Sequence, residues 1–315
     1  METLELQLRQ IRLEAEGIAS FELARPDGQA LPAVTAGAHL DIHLPNGLRR
    51  SYSISSAPDI RSHYRITVKR DAASRGGSNW LHDNARVGMH IVAGEPRNNF
   101  ALDESARHHV LIAGGIGITP LLPMLWRLNA LQRSWTLHYS ARTPGQMAHD
   151  AELRSLACHA GAKVMRYFTA QGERMKLREI VDGSPANSHF YGCGPAGLID
   201  AFTEATQGIA PRHVSLERFA ASEAPSAGGY AVRLARDGRQ FDVPPGQSML
   251  DTLLAAGLDI PYSCMQGICG SCSLRVLDGL PDHRDECLSE EERKSAQVVM
   301  PCCSGARTPV LVLDL

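Results

Sequence analysis

The sequence predicts a multidomain chain: an antiparallel β-barrel, then a parallel α/β segment, then a small cysteine-bearing segment. Three observations carry this. Short alternating runs with polar turns fill about the first hundred residues, apolar strands then alternate with helices, and Cys264, Cys269, Cys272 and Cys302 cluster near the C-terminus.

The β segment comes first. Alternating runs at 4–12, 18–24, 39–44, 64–68 and 90–92 are separated by turn signals such as Pro26-Asp27-Gly28 and Pro45-Asn46-Gly47. Many short strands with polar turns suggest a small barrel. Within it, Arg50-Ser51-Tyr52-Ser53 offers a guanidinium fork for phosphate oxygens, a flat aromatic face and two hydroxyls. Arg75-Gly76-Gly77-Ser78 leads into a helix through Trp80 and Leu81, and glycines before a helix start expose N–H groups to an anion. Read singly, these two motifs are equally a surface arginine and a glycine turn.

The middle segment changes character. A buried strand at 110–113 meets Gly114-Gly115-Ile116-Gly117-Ile118-Thr119-Pro120, followed by an apolar helix at 121–131. Thr119 is placed to cap that helix, and Pro120 suits its first turn. The glycines allow a dinucleotide pyrophosphate to approach the helix start. Pro120 stands where the usual fingerprint has its last glycine. The next strand, 135–140, runs into Ser140-Ala141-Arg142 rather than an acidic residue. Strands at 163–168 and 189–191 follow, the latter ending in Gly192-Cys193-Gly194-Pro195. Two glycine turns at strand ends of one parallel sheet favour a nucleotide site over plain βα turns.

The cysteines are the most specific signal. Cys264, Cys269 and Cys272 read Cys-x4-Cys-x2-Cys, and Cys302 follows after 29 intervening residues, the plant-type [2Fe–2S] spacing. Gly267 and Gly270 lie between ligands, where a curled backbone needs residues without a Cβ and its N–H groups can face the sulfurs. Structural zinc more often shows two Cys-x2–4-Cys pairs. Cys302 and Cys303 are adjacent, so spacing barely separates them as the fourth ligand. Cys158, Cys193, Cys287 and Cys303 show no disulfide framework.

Composition bounds the rest. The 315 residues suggest two or three domains, with a boundary near 104–108 and a Pro/Gly/Ser linker at 223–229. With 32 basic against 34 acidic residues and no basic tract, nucleic acid is excluded as a partner. The N-terminus lacks a signal peptide pattern, and the longest uncharged run, 110–126, is broken by glycines and prolines. A cytoplasmic protein with no membrane span is expected. The 13 histidines read as surface or core residues rather than metal ligands.

In this order the motifs resemble the phthalate dioxygenase reductase family, which includes the vanillate demethylase reductases, over essentially the whole chain. The resemblance implies an FMN-binding β-barrel at 1–104, an NAD(H)-binding α/β domain of ferredoxin-reductase type at 105–222, a linker at 223–229 and a plant-type β-grasp ferredoxin at 230–315. It implies that Arg50, Ser51, Tyr52 and Ser53 contact FMN, that Val68 and Lys69 flank its ring, and that Arg75, Gly76, Gly77 and Ser78 hold its phosphate. Gly114, Gly115, Gly117, Thr119 and Pro120 would receive the NADH pyrophosphate, and Ser140 and Arg142 the adenine ribose or a 2′-phosphate. Cys193, Gly194 and Pro195 would lie by the nicotinamide, with Phe219 over the flavin. Ser53, Cys193 and Phe219 would then line the hydride-transfer centre, and Cys302 would be the fourth cluster ligand. Cys303 and Gly305 depart from the valine and arginine more usual in the family.

The chemistry expected from this resemblance is a relay. NADH delivers a hydride, a [2Fe–2S] cluster takes one electron at a time, and a flavin can do both. The acceptor would be a Rieske-type terminal oxygenase that acts on an aromatic acid, with the reductase a monomer. Residues around the cluster loop, Tyr262, Ser263, Met265, Gln266 and Ile268, are candidates for docking it, with 282–286 as a charged rim. A flavin or ferric reductase, or a redox sensor with an attached ferredoxin, is the alternative. It would not need both the cluster and the dinucleotide loops.

Overall fold

The computed structural model describes residues 3–71, 76–219, 226, 228–262 and 264–315. They form two compact units, Met1–Arg218 and Phe219–Leu315. In the first unit β1 (Thr3–Ala15), β2 (Ile18–Ala24), β3 (His39–His43), β4 (Arg49–Ser53), β5 (Tyr64–Lys69) and β6 (His90–Gly94) form one antiparallel sheet ordered β4-β3-β6-β1-β2-β5. A bridge between Ile54 and Ile66 joins its two edges and closes the barrel. Period-two alternation buries Leu6, Leu8, Phe21, Leu23, Leu40 and Ile42 inside. Helix α1 (Gly77–Asn84) adds Leu81 to that core.

A parallel sheet follows, from β7 (His108–Gly114), β8 (Ser134–Ala141), β9 (Ala162–Phe168), β10 (His189–Gly194) and β11 (Val214–Arg218), in the order β11-β10-β7-β8-β9. Helices α2 (Ile118–Ala130), α3 (Asp150–Leu156), α4 (Leu177–Asp182) and α5 (Ala196–Ala205) connect the strands. The chain winds from β7 to β8 and β9, then returns to place β10 on β7's other side. That reversal opens a crevice at the C-terminal end of β7, where open α/β sheets bind ligands.

Two sequence expectations change here. Thr119 does not cap α2: a 3₁₀ turn over Gly115–Gly117 feeds the helix at Ile118, Gly117 is the N-cap residue, and the Thr119 hydroxyl donates to the Ile116 carbonyl at 3.0 Å. The tight turn starts the helix early, leaving Thr119 inside its first turn. Gly192, Cys193 and Gly194 are not a turn either. They stay in the ladder, with Cys193 paired to Ala113 on one side and Glu217 on the other. Gly192 is there for packing, since a Cβ would stand 2.6 Å from the Phe202 ring.

The second unit has a five-stranded sheet ordered β13-β12-β18-β14-β16, from β12 (Tyr230–Leu234), β13 (Gln240–Val243), β14 (Leu274–Asp278), β16 (Val298–Val299) and β18 (Val310–Leu313). β12 and β18 pair in parallel and the other neighbours antiparallel. The short β15 (Pro281–Asp282) pairs with β17 (Gly305–Ala306). Helix α6 (Met249–Ala255), capped by the Ser248 hydroxyl, packs Met249, Leu250 and Leu253 onto this sheet. Helix α7 (Glu290–Ser295) opens with a capping box between Ser289 and Glu292. Of the expected linker, Ser226 N donates to the Cys303 carbonyl and Gly229 N to the Val243 carbonyl, so these positions are fastened to the second unit. Residues 223–225 and 227 lie outside the described residues. Among the described residues no helix is long and apolar enough to cross a membrane.

Candidate functional site

The cysteine loop lies between α6 and β14. Its curl needs left-handed backbone at Met265, Gly267 and Gly270, with φ of 54°, 74° and 70°. The four thiols fall into two neighbouring pairs, Cys264 with Cys269 and Cys272 with Cys302. Two pairs suit two irons, one pair each, better than a single ion held by all four. Among the described residues no three His, Cys, Asp or Glu side chains are placed to hold one metal ion. The amides of Gln266 and Ile268 donate to the Cys264 sulfur, the former at 3.3 Å, and Ser271 donates to Cys269 through its amide and hydroxyl. The donor set and its amides therefore fit a [2Fe–2S] cluster. Cys303 also touches Cys302, but its Sγ is tucked under the loop, 2.5 Å from where a Gly267 Cβ would be. It points to the Met300 carbonyl and the Ser304 hydroxyl, both at 3.8 Å. Cys302, paired with Cys272, is the better placed fourth ligand.

In the first unit the glycine turn after β7 meets the C-terminal end of β10 at the crevice. A Cβ on Gly117 would stand 2.2 Å from the Cys193 carbonyl oxygen, and one on Gly114 would strike Leu198 and Pro195 at 2.6 and 2.7 Å. Gly114, Gly117 and Gly194 thus let the turn and the strand end touch. Only Gly115, at φ 53°, faces open space, leaving room for a pyrophosphate at the start of α2. Ser140 pairs with Gly114 across the sheet, and Arg142 lies exposed just beyond. Pro195 is exposed at the mouth of the crevice.

Cys193 is fully buried, with Glu217 Oε2 4.0 Å from its sulfur. Burial, then the Glu217 charge, push its thiol pKa well up, so it stays a neutral thiol. Burial likewise raises the Glu217 carboxyl to about 8. Glu217 was missed as a site residue: a glutamate in a short strand carries no motif signal, and only the β10–β11 register brings it to Cys193.

The barrel supplies a second cradle. Strand β4 alternates, so Arg50 and Tyr52 share the face of Ile42 and Leu40, their partners on β3, while Ser51 and Ser53 take the other. The Ser51 hydroxyl donates to Asp41 at 2.6 Å, which commits it to the barrel. Tyr52 packs on the core, and burial raises its phenol to about 12. Arg50 runs across Gly77, where a Cβ would overlap its side chain at 2.6 Å. A guanidinium therefore lies over the N-terminus of α1, whose Gly76 has a left-handed φ of 93°. The Ser78 hydroxyl accepts the Asp71 amide, and the buried Asn79 Oδ1 has no hydrogen-bond partner among the described residues. This cationic, N–H-rich corner fits a phosphate-bearing group. Val68 is buried and Lys69 exposed at the end of β5, and the Val68 carbonyl meets His82 Nε2 at 3.0 Å. Phe219 begins the second unit; Arg75 and Ser263 lie outside the described residues.

Fold and site together define a pyridine-nucleotide-linked iron–sulfur oxidoreductase. Residues 111–204 match the oxidoreductase NAD-binding domain and residues 232–307 the 2Fe-2S iron-sulfur cluster binding domain. The chain is 47% identical to a phenoxybenzoate dioxygenase subunit beta of Ectopseudomonas oleovorans, covering 100% of this chain and 98% of that one. It is 42% identical to a vanillate O-demethylase oxidoreductase of a Pseudomonas strain, covering 99% and 100%. The solved structure of phthalate dioxygenase reductase, described as modular for electron transfer from pyridine nucleotides to [2Fe-2S], superposes with a TM-score of 0.85 at 36% identity over 99% of this chain and 98% of that one. The chain belongs to the phthalate dioxygenase reductase family.

Proposed function

We propose that this chain is the reductase component of a multicomponent aromatic oxygenase, drawing electrons from NADH and delivering them singly to a Rieske-type partner. The observation that carries it is the paired four-cysteine loop on the same chain as a nucleotide crevice and a phosphate cradle. Similarity to relatives named for dioxygenases and demethylases supports an oxygenase as acceptor.

Bound FMN accepts a hydride and releases electrons singly, which the cluster carries one at a time. The protein positions and encloses. Arg50 and the amides of Gly76, Gly77 and Ser78 hold the FMN phosphate, Tyr52 offers a flat face, and Val68 and Lys69 border the ring. The Ser53 hydroxyl would offer the flavin a hydrogen bond from β4. Gly115 and the first turn of α2, with Thr119 and Pro120, take the NADH pyrophosphate, while Ser140 and Arg142 meet the adenosine. Gly194 and Pro195 form the nicotinamide floor, and the buried, neutral Cys193 supports it from beneath. The family resemblance gives Phe219 the role of an aromatic cover for the flavin. The half-buried Tyr262, Met265, Gln266 and Ile268 surround the cluster loop and are its docking rim. We place the protein in the cytoplasm as a monomer, with domain limits at 104, 222 and 229.

An anaerobic NADH titration followed by visible absorbance and low-temperature EPR tests the reading. Flavin bleaching with a rhombic reduced-cluster signal, saturating near three electrons per chain, is expected from one two-electron and one one-electron centre. A cluster that stays oxidised while flavin bleaches would break the proposed order.

A further inference from the structure

We propose that Asp285 sets the reduction potential of the cluster held by Cys264, Cys269, Cys272 and Cys302, acting as a buried negative charge. The inference deepens the reading above and rests on it. In the sequence Asp285 falls within a charged rim; the structure places it inside. Its side chain is fully enclosed. Oδ1 accepts from the Ser304 hydroxyl at 3.2 Å, two residues past Cys302. Oδ2 accepts the Leu288 amide at 3.0 Å and meets the Cys287 thiol at 3.8 Å.

The backbone of this segment is clamped to the ligand loop. Glu286 N donates to the Gly267 carbonyl at 2.8 Å, and a Cβ at 267 would lie 3.1 Å from the Asp285 Cα. The Cys287 sulfur lies 4.0 Å from the Cβ position of Gly270. The carboxylate is thereby held between the three-cysteine loop and the fourth-ligand segment.

Its countercharges are incomplete. Arg293 of α7 donates to the Asp285 carbonyl, and its guanidinium stands 3.8 Å from Oδ2. His283 Nδ1 is 3.6 Å from Oδ1, yet both ring nitrogens are buried without a hydrogen-bond partner among the described residues. By contrast, the rim carboxylate Asp282 is paired at 2.9 Å with Arg284 and at 3.4 Å with Arg307, partly in solvent. Charges screened by water count for little, whereas one in the interior is screened far less. Of these carboxylates, Asp285 therefore dominates. A fixed negative charge opposes the arrival of an electron, lowers the potential and makes the reduced cluster a stronger donor.

The test uses the full chain carrying its cluster. Iron content is measured, and the midpoint potential is read by EPR-monitored redox titration. Asp285→Asn, isosteric and neutral, is expected to keep its iron and shift the midpoint upward, while Asp285→Glu stays near the parent value. A fully loaded Asp285→Asn chain with an unchanged midpoint overturns the proposal. Should Asp285→Asn not hold its iron, Arg293→Gln decides: losing the countercharge should lower the midpoint, and an unchanged or raised value overturns the proposal. A parent chain with no iron and no EPR signal would instead sink the cluster reading itself.

Discussion

The Cβ position of Gly117 lies 2.2 Å from the carbonyl oxygen of Cys193, so the glycine turn after β7 and the end of β10 are in backbone contact. No side chain fits between them. Gly117→Ala must push them apart, at a cost of about 1–3 kcal/mol for overpacking. Its thermal midpoint should fall, and NADH should reduce bound flavin more slowly; a full-rate, fully stable variant would contradict the contact. Gly115→Ala separates the roles. That site is open, so the change should weaken NADH binding with a smaller loss of stability from its positive φ.

The fourth ligand can be assigned by substitution. Cys302→Ala should lose the cluster signal, whereas Cys303→Val should keep it, because a valine needs no partner under the loop. Iron analysis and EPR give the answer directly. The reverse result would make Cys303 the ligand.

Breaking the relay downstream should spare its upstream half. A Cys272→Ala chain should still bleach its flavin with NADH but lose cytochrome c reduction by at least about tenfold, an effect of about 1.4 kcal/mol or more on the transfer barrier. Stopped-flow absorbance separates the two steps. Undiminished cytochrome c reduction would favour a plain flavin reductase.

Glu217 and Glu152 should impose opposite pH dependences on stability. Burial raises Glu217 to about 8, so the folded state binds its proton more tightly than the unfolded chain. Its contribution is full below about 4.5 and is lost as pH rises toward 8, and Glu217→Gln should flatten that decline in urea midpoints.

Burial disfavours ionised Glu152, but the nearby His149 and hydrogen bonds from Arg65 and Trp126 outweigh it and hold its pKa at about 2. Its contribution is present above about 4.5 and is lost as pH falls toward 2. Since Arg65 lies on β5 and Glu152 on α3, 2.9 Å apart, Glu152→Gln should loosen the barrel from the nucleotide sheet. A loss of about 1–3 kcal/mol at neutral pH is expected from urea unfolding. No change there would mean the pair is dispensable.

Much of the fold was legible because its signals are local. The alternation over 18–24 coincides with β2, and the apolar run at 110–113 lies within β7. Strand β4 was not read as a strand: Arg49, Arg50, Ser51 and Tyr52 are polar and half-buried, so they show no alternation. Thr119 looked like a cap because a cap has a residue type, but the preceding 3₁₀ turn, invisible in the letters, moved the helix start.

By itself the sequence determined the order of the modules, the cysteine spacing and the glycine positions, since each depends on neighbours a few residues apart. Only the tertiary structure set Cys302 beside Cys272 and tucked Cys303 under the loop, brought Glu217 beside Cys193, and enclosed Asp285 between the cluster loop and Ser304. Those pairings join residues far apart in the chain. They are set by strand register, close packing and burial, and no local pattern records them.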